Sequence, residues 1–109
     1  MIVNLTPHAI TYINENGIET IIPSSGVARA AQTTEEVGNL EGFRITRSSF
    51  GAPVGLPEYS EGTYYVVSLA TIQAARTYGR RVDDLLTTNE AVRNADGSIR
   101  GCRSFAQLG

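Results

Sequence analysis

Short apolar runs, broken every few residues by Asn, Asp, Gly or Pro, set the rhythm of this chain and predict strands more often than helices. Residues 2–5 predict a first strand, stopped by Thr6-Pro7 because proline removes a ladder donor and restrains its predecessor. Residues 9–13 and 18–22 flank Asn14-Glu15-Asn16-Gly17, whose Asn-Gly pair supplies the positive φ of a tight hairpin. Pro23-Ser24-Ser25-Gly26 reads as a turn and residues 27–31 as extended. Thr33-Thr34-Glu35-Glu36 offers one helical turn before Gly38 ends it, and residues 43–47 alternate as a strand. Residues 48–61, with two glycines and two prolines, read as a long irregular loop.

The second half is more regular. Tyr64-Tyr65-Val66-Val67 is aromatic and β-branched, as a central strand requires. Ser68 then stands at a helix N-cap, residues 69–78 are rich in alanine with Leu69, Ile72 and Ala75 on one side, and Gly79 supplies the stop. Residues 82–86 read as extended, and 91–93 with 99–105 flank a second turn at Asn94-Ala95-Asp96-Gly97. The expectation is one α+β domain over residues 1–109. It is built mostly of short antiparallel strands, as a sheet or partial barrel, with one main helix near residues 69–78.

Composition narrows the function classes. With 41% hydrophobic and 18% charged residues the chain is globular rather than disordered. No apolar run reaches the roughly 18 residues a membrane span needs, and no secretory signal is expected at the N-terminus. A single cysteine, Cys102, rules out an internal disulfide framework and fits a reducing cytoplasm. It and His8 are the only soft ligands, too few for a cysteine-based zinc site. A net charge of −2 argues against bulk attraction to nucleic acid. All nine basic residues are arginine, and six of them lie between Arg76 and the C-terminus, which makes that segment positive and the rest negative. Guanidinium groups pair with phosphate in a fork and stack on bases, whereas solvated surface charge is their bland reading.

Three places hold candidate chemistry. His8 is the sole side chain titrating near neutrality, but no nucleophile motif surrounds Thr6 or Ser68, so Asn4, Thr6 and His8 also read as backbone partners at a proline turn. Cys102 sits between arginines that would favour its thiolate, or is a small buried hydrophobe. Adjacent Asp83 and Asp84 point to opposite faces if extended, which disfavours a shared metal ion and favours salt bridges to Arg80 or Arg81. The strand-to-helix junction at Ser68 offers amide donors and a hydroxyl to an anion.

Asn4-Leu5-Thr6-Pro7-His8-Ala9-Ile10, Pro23-Ser24-Ser25-Gly26-Val27-Ala28-Arg29, Gly55-Leu56-Pro57 and Tyr65-Val66-Val67-Ser68 form an ordered set with Asp83-Asp84-Leu85-Leu86. Val92-Arg93-Asn94-Ala95-Asp96-Gly97-Ser98-Ile99-Arg100-Gly101-Cys102 completes it. The set resembles a family of small proteins encoded by bacteriophages and prophages, over nearly the whole chain. That resemblance implies a phage product acting in the host bacterial cytoplasm and brings no catalytic assignment.

The function expected is capture of a phosphorylated, nucleotide-derived immune signal, a sponge without cofactor or metal. The phosphates are expected at Ser68 with Arg80, Arg81 or Arg93, Arg29 is a further basic candidate, and Asn4, Thr6 and His8 read the base or ribose. A minor structural or assembly role, and a small nucleotide-cleaving enzyme using His8, are the alternatives. Because so short a chain has little concave surface, a homo-oligomer is expected as well.

Overall fold

The computed structural model describes residues 1–109, and strands dominate it, with one short helix. The chain runs β1 (Ile2–Asn4), β2 (Ile10–Ile13), β3 (Glu19–Ile22), β4 (Arg29–Leu40) and β5 (Phe43–Val54). It continues through β6 (Tyr64–Val66), α1 (Leu69–Thr77), β7 (Leu85–Arg93) and β8 (Ile99–Ala106). Six strands form one sheet in the order β1-β6-β7-β8-β2-β3, while β4 and β5 pair only with each other. The six-stranded sheet curls until Asn4 bridges Ser24, just past the end of β3, so that it is nearly closed and barrel-like.

Both hairpins stand where their turns place them. Ile13 pairs with Glu19 across a loop that puts Gly17 at φ 78°, and β7 pairs antiparallel with β8 across Asn94–Gly97. The helix also matches. The Ser68 hydroxyl accepts from the Thr71 amide at 3.2 Å. At the other end the Gly79 and Arg80 amides donate to Arg76 and Ala75, a Schellman stop around the left-handed Gly79. Its buried face is Thr71, Ile72, Ala74 and Ala75; Leu69, expected on that face, is 47% exposed.

Pairing within the sheet is more mixed than the turns suggested. β1 runs parallel to β6, β6 to β7, and β8 to β2. The β6–β7 pairing follows from the β6–α1–β7 crossover, since a helix between neighbouring strands returns the chain to its starting end. β6 is consequently covered on both sides. Tyr65 and Val67 join Leu5, Ala28, Ile72, Ala75 and Leu85 under the helix, and Val66 packs inside the curl with Ile10 and Cys102. Burial on both faces is why its sequence is an unbroken apolar run.

The larger departure is β4–β5. The helical turn at Thr33–Glu36 is strand, the strand expected at 43–47 extends to Val54, and the loop expected at 48–61 starts only after Val54. The two 12-residue strands form one long ribbon joined by Glu41-Gly42, both at positive φ, with bulges beside Ala30 and Glu36. Residues 32–50 are exposed throughout. No buried face imposes alternation on them, and Glu-Gly lacks the Asn-Gly signature of a two-residue hairpin turn. The ribbon is rooted where Ala28–Ala31 and Gly51–Val54 pack near the helix.

Candidate functional site

A cleft of about 590 Å³ opens beside β2, β7 and β8, and Thr6 and His8 help to line it. It exists because β2 and β8 share a single pairing, Tyr12 with Cys102, so their preceding residues are not zipped together. Close approach at that pairing requires Gly101, where a Cβ would stand 2.5 Å from the Thr11 carbonyl oxygen. Ala9, Ile10, Ala91 and Ile99 give the cleft apolar surface, and Thr88, Asn89, Glu90 and Arg100 give it polar groups.

The Asn4–His8 turn is built by one fully buried side chain. The Asn4 amide nitrogen donates to the carbonyls of His8 at 2.8 Å and Ile22 at 3.0 Å. Its oxygen accepts from the Thr6 amide at 2.9 Å and the Thr6 hydroxyl at 2.6 Å. Ser24 adds a bond from its hydroxyl to the Thr6 carbonyl at 2.6 Å. Asn4 and the Thr6 hydroxyl are therefore committed to holding the seam of the sheet, which the sequence offered as the alternative to ligand contact. His8 takes part through its carbonyl, which leaves the imidazole at the cleft as the group of this turn suited to a ligand.

Two cleft residues escaped sequence reasoning. Arg100 holds Glu19 at 3.2 Å, both partly exposed, so its guanidinium sits at the rim with a partner that water or a ligand can replace. Glu90 has φ 55°, a left-handed conformation that costs a non-glycine residue roughly 1 kcal/mol or more. It also lines a second cleft of about 350 Å³ with Asn14 and Arg103. It stands at the one gap in this stretch of the β7–β8 register, between Asn89 opposite Ser104 and Ala91 opposite Cys102, and nothing in the local sequence marks that conformation.

The expected phosphate clamp does not assemble. Ser68 caps the start of α1, whereas Arg80 and Arg81 follow its C-terminus, about 14 Å away along nine residues. The Ser68 hydroxyl is engaged with Thr71 Oγ1 at 2.8 Å. Arg80 makes a fork to Asp84 at 2.9 and 3.0 Å and reaches the Pro57 carbonyl at 2.8 Å. Arg81 forks onto Asp83 and lies 3.6 Å over the Tyr59 ring. Arg93 donates to the Gly97 carbonyl at 2.8 Å within its own hairpin turn, and Arg29 stands exposed at the root of β4. The aspartates each take one arginine as expected, Asp84 inward and Asp83 outward, but from a turn: the strand expected from residue 82 starts only at Leu85.

The Arg81 hydrogen bonds hold the Asp83 carboxyl below its ordinary range. Any stabilisation from this depressed group is present above the unfolded carboxylate value and is lost as pH falls through the folded one. Arg81→Ala is expected to return the Asp83 titration upward, read from side-chain carboxyl chemical shifts, with little change in stability because the pair is exposed. An unmoved titration would mean that the backbone sets it.

Cys102 lines the cleft with His8, yet burial pushes its thiol above the ordinary range. Burial thus works against the thiolate that flanking arginines would favour, and Cys102 packs as a small buried hydrophobe beside Ile10 and Val66. No three His, Cys, Asp or Glu side chains gather as metal ligands, and no helix is long and apolar enough to cross a membrane. Comparison with protein-family models, curated proteins and solved structures gives no match.

Proposed function

We propose that the protein captures a small phosphorylated, nucleotide-like molecule in the cleft beside β2, β7 and β8 and holds it intact. The observation that carries this reading is the cleft itself. Its volume of about 590 Å³ falls within the usual span for small-molecule sites, and apolar surface lies beside His8, Glu90 and Arg100. Arg100 takes a phosphate in place of Glu19, Glu90 accepts from ribose hydroxyls or a base amine, and Ile10 and Ile99 offer contact to a base. Ser68, Arg80, Arg81 and Arg93 have no part in this site.

Joined to the resemblance to phage proteins, capture without turnover is the action of a sponge that removes an immune signal in the host bacterial cytoplasm. A strained Glu90 fits such a role, since left-handed backbone at a binding site is retained for the site rather than for stability. A phage assembly role is the second reading, favoured by the exposed β4–β5 ribbon.

The test is the melting temperature across a panel of linear and cyclic nucleotides. A ligand at 100 times its Kd is expected to add about 2.7 kcal/mol. Arg100→Ala and His8→Ala are each expected to weaken binding by about 1.5–3 kcal/mol, with Arg81→Ala without effect. Glu90→Gly is expected to raise the ligand-free melting temperature while lowering affinity. Heat-released ligand recovered unchanged supports capture; repeated turnover abolished by His8→Ala would mean an enzyme. If no nucleotide shifts the melting temperature, the reading fails.

A further inference from the structure

Given the nucleotide capture proposed above, on which this rests, we infer that the base held in the cleft is guanine, read by the Glu90 carboxylate through the two N–H donors on one edge of the base.

Glu90 is set apart by its backbone as well as its place. It lines both the larger cleft and the smaller one, and at φ 55° it leaves the extended conformation in the middle of β7. In an uninterrupted strand Asn89 and Glu90 would face opposite sides of the sheet, whereas here both stand on the wall of one cleft. Across the ladder from Glu90 is Arg103, between the Asn89–Ser104 and Ala91–Cys102 pairs, and it does not close on the carboxylate. The ion pairs of the molecule lie elsewhere, on Arg44, Arg80, Arg81 and Arg100. A residue held in a costly conformation beside a cleft, with its charge uncommitted, is arranged for what the cleft receives.

A carboxylate only accepts, and its two oxygens suit a partner that offers two adjacent donors. Among the common bases guanine alone carries such a pair on one edge, at N1 and the 2-amino group. Adenine and cytosine set an amine beside a ring-nitrogen lone pair, which a carboxylate oxygen repels. Uracil and thymine offer a single N–H between two carbonyls. The Asn89 amide, on the same cleft wall, has a donor for guanine O6. The spacing also suits Arg100 as the partner of the phosphate. Arg103, opposite Glu90, is three residues from Arg100 along β8, about 10 Å, the scale that separates a guanine edge from its 5′-phosphate.

The test is calorimetric titration of the full chain with GMP and AMP, with cyclic GMP and cyclic AMP, and with IMP, which lacks the 2-amino group. Each guanine nucleotide is expected to bind at least about 10-fold tighter than its adenine counterpart, with IMP weaker than GMP. Glu90→Gln is expected to reverse the order, because a glutamine amide presents one donor and one acceptor and so pairs with the adenine edge. A merely structural role for Glu90 would not produce that reversal. Binding that ignores the base, IMP as tight as GMP, or a preference that Glu90→Gln leaves unchanged would overturn the assignment of guanine while nucleotide capture stands. Failure of every nucleotide to bind would overturn both.

Discussion

Arg80→Ala is expected to destabilise the fold by about 3–5 kcal/mol, the loss seen when one partner of a buried ion pair is removed. Asp84 is 1% exposed and receives both arms of the Arg80 guanidinium, whose side chain is itself 19% exposed. Without Arg80, a carboxylate at the foot of β7 has no counter-charge beside fully buried Leu85. The same guanidinium donates to the Pro57 and Arg81 carbonyls, so its removal also frees the loop that follows β5. Arg80→Lys is expected to recover only part of the loss, because a single ammonium cannot reproduce the fork and reach Pro57 as well. Arg80→Met with Asp84→Leu together is expected to approach wild-type stability, since no charge is then left buried. Urea unfolding of the four proteins separates these cases. A loss below about 1 kcal/mol for Arg80→Ala would place the pair with exposed bridges such as Arg81–Asp83.

Asn4→Ala is expected to cost about 3 kcal/mol and, unlike Arg80→Ala, to weaken ligand capture too. Four hydrogen bonds end on this side chain, and its removal leaves the Ile22 carbonyl, the His8 carbonyl and the Thr6 amide short of a partner. Each buried polar group so orphaned costs about 1–3 kcal/mol, with partial access of water keeping the sum at the lower end. Asn4→Asp keeps the acceptor for Thr6 but turns a carboxylate toward two carbonyl oxygens, and is expected to be no better than alanine. Asn4 does not line the cleft, so it acts by positioning the turn that carries His8. Stability from urea unfolding and affinity from ligand titration are the two measurements. A variant as destabilised as expected but with unchanged affinity would show that His8 is placed without the Asn4 latch.

The sequence alone determined the elements whose signals are local. Gly17 and the Asn94–Gly97 turn specified both hairpins, and Ser68 with Gly79 specified the helix ends, because caps and turns depend on the φ and the side-chain bonds of a few adjacent residues. Tyr65, Val66 and Val67 declared a central strand, since burial on both faces permits no polar alternation. The pairing of Asp83 and Asp84 with Arg81 and Arg80 was legible, but the extended backbone expected over residues 82–86 begins only at Leu85, and the two aspartates diverge from a turn closed by the Leu85 amide on the Val82 carbonyl. Tertiary structure decided the rest. Asn4 became a latch only when β3 came round to place Ile22 beside it, and the cleft formed only where β2 met β8 at one residue pair. Ser68 and Arg80 looked like one clamp because eleven intervening residues were short in sequence, but a helix laid them end to end and drew Arg80 to Asp84. Of the β4–β5 ribbon only residues 43–47 were legible, because the stretch from 32 to 50 has no buried face to impose alternation; its strands are held by pairing with each other, and that register is a non-local fact.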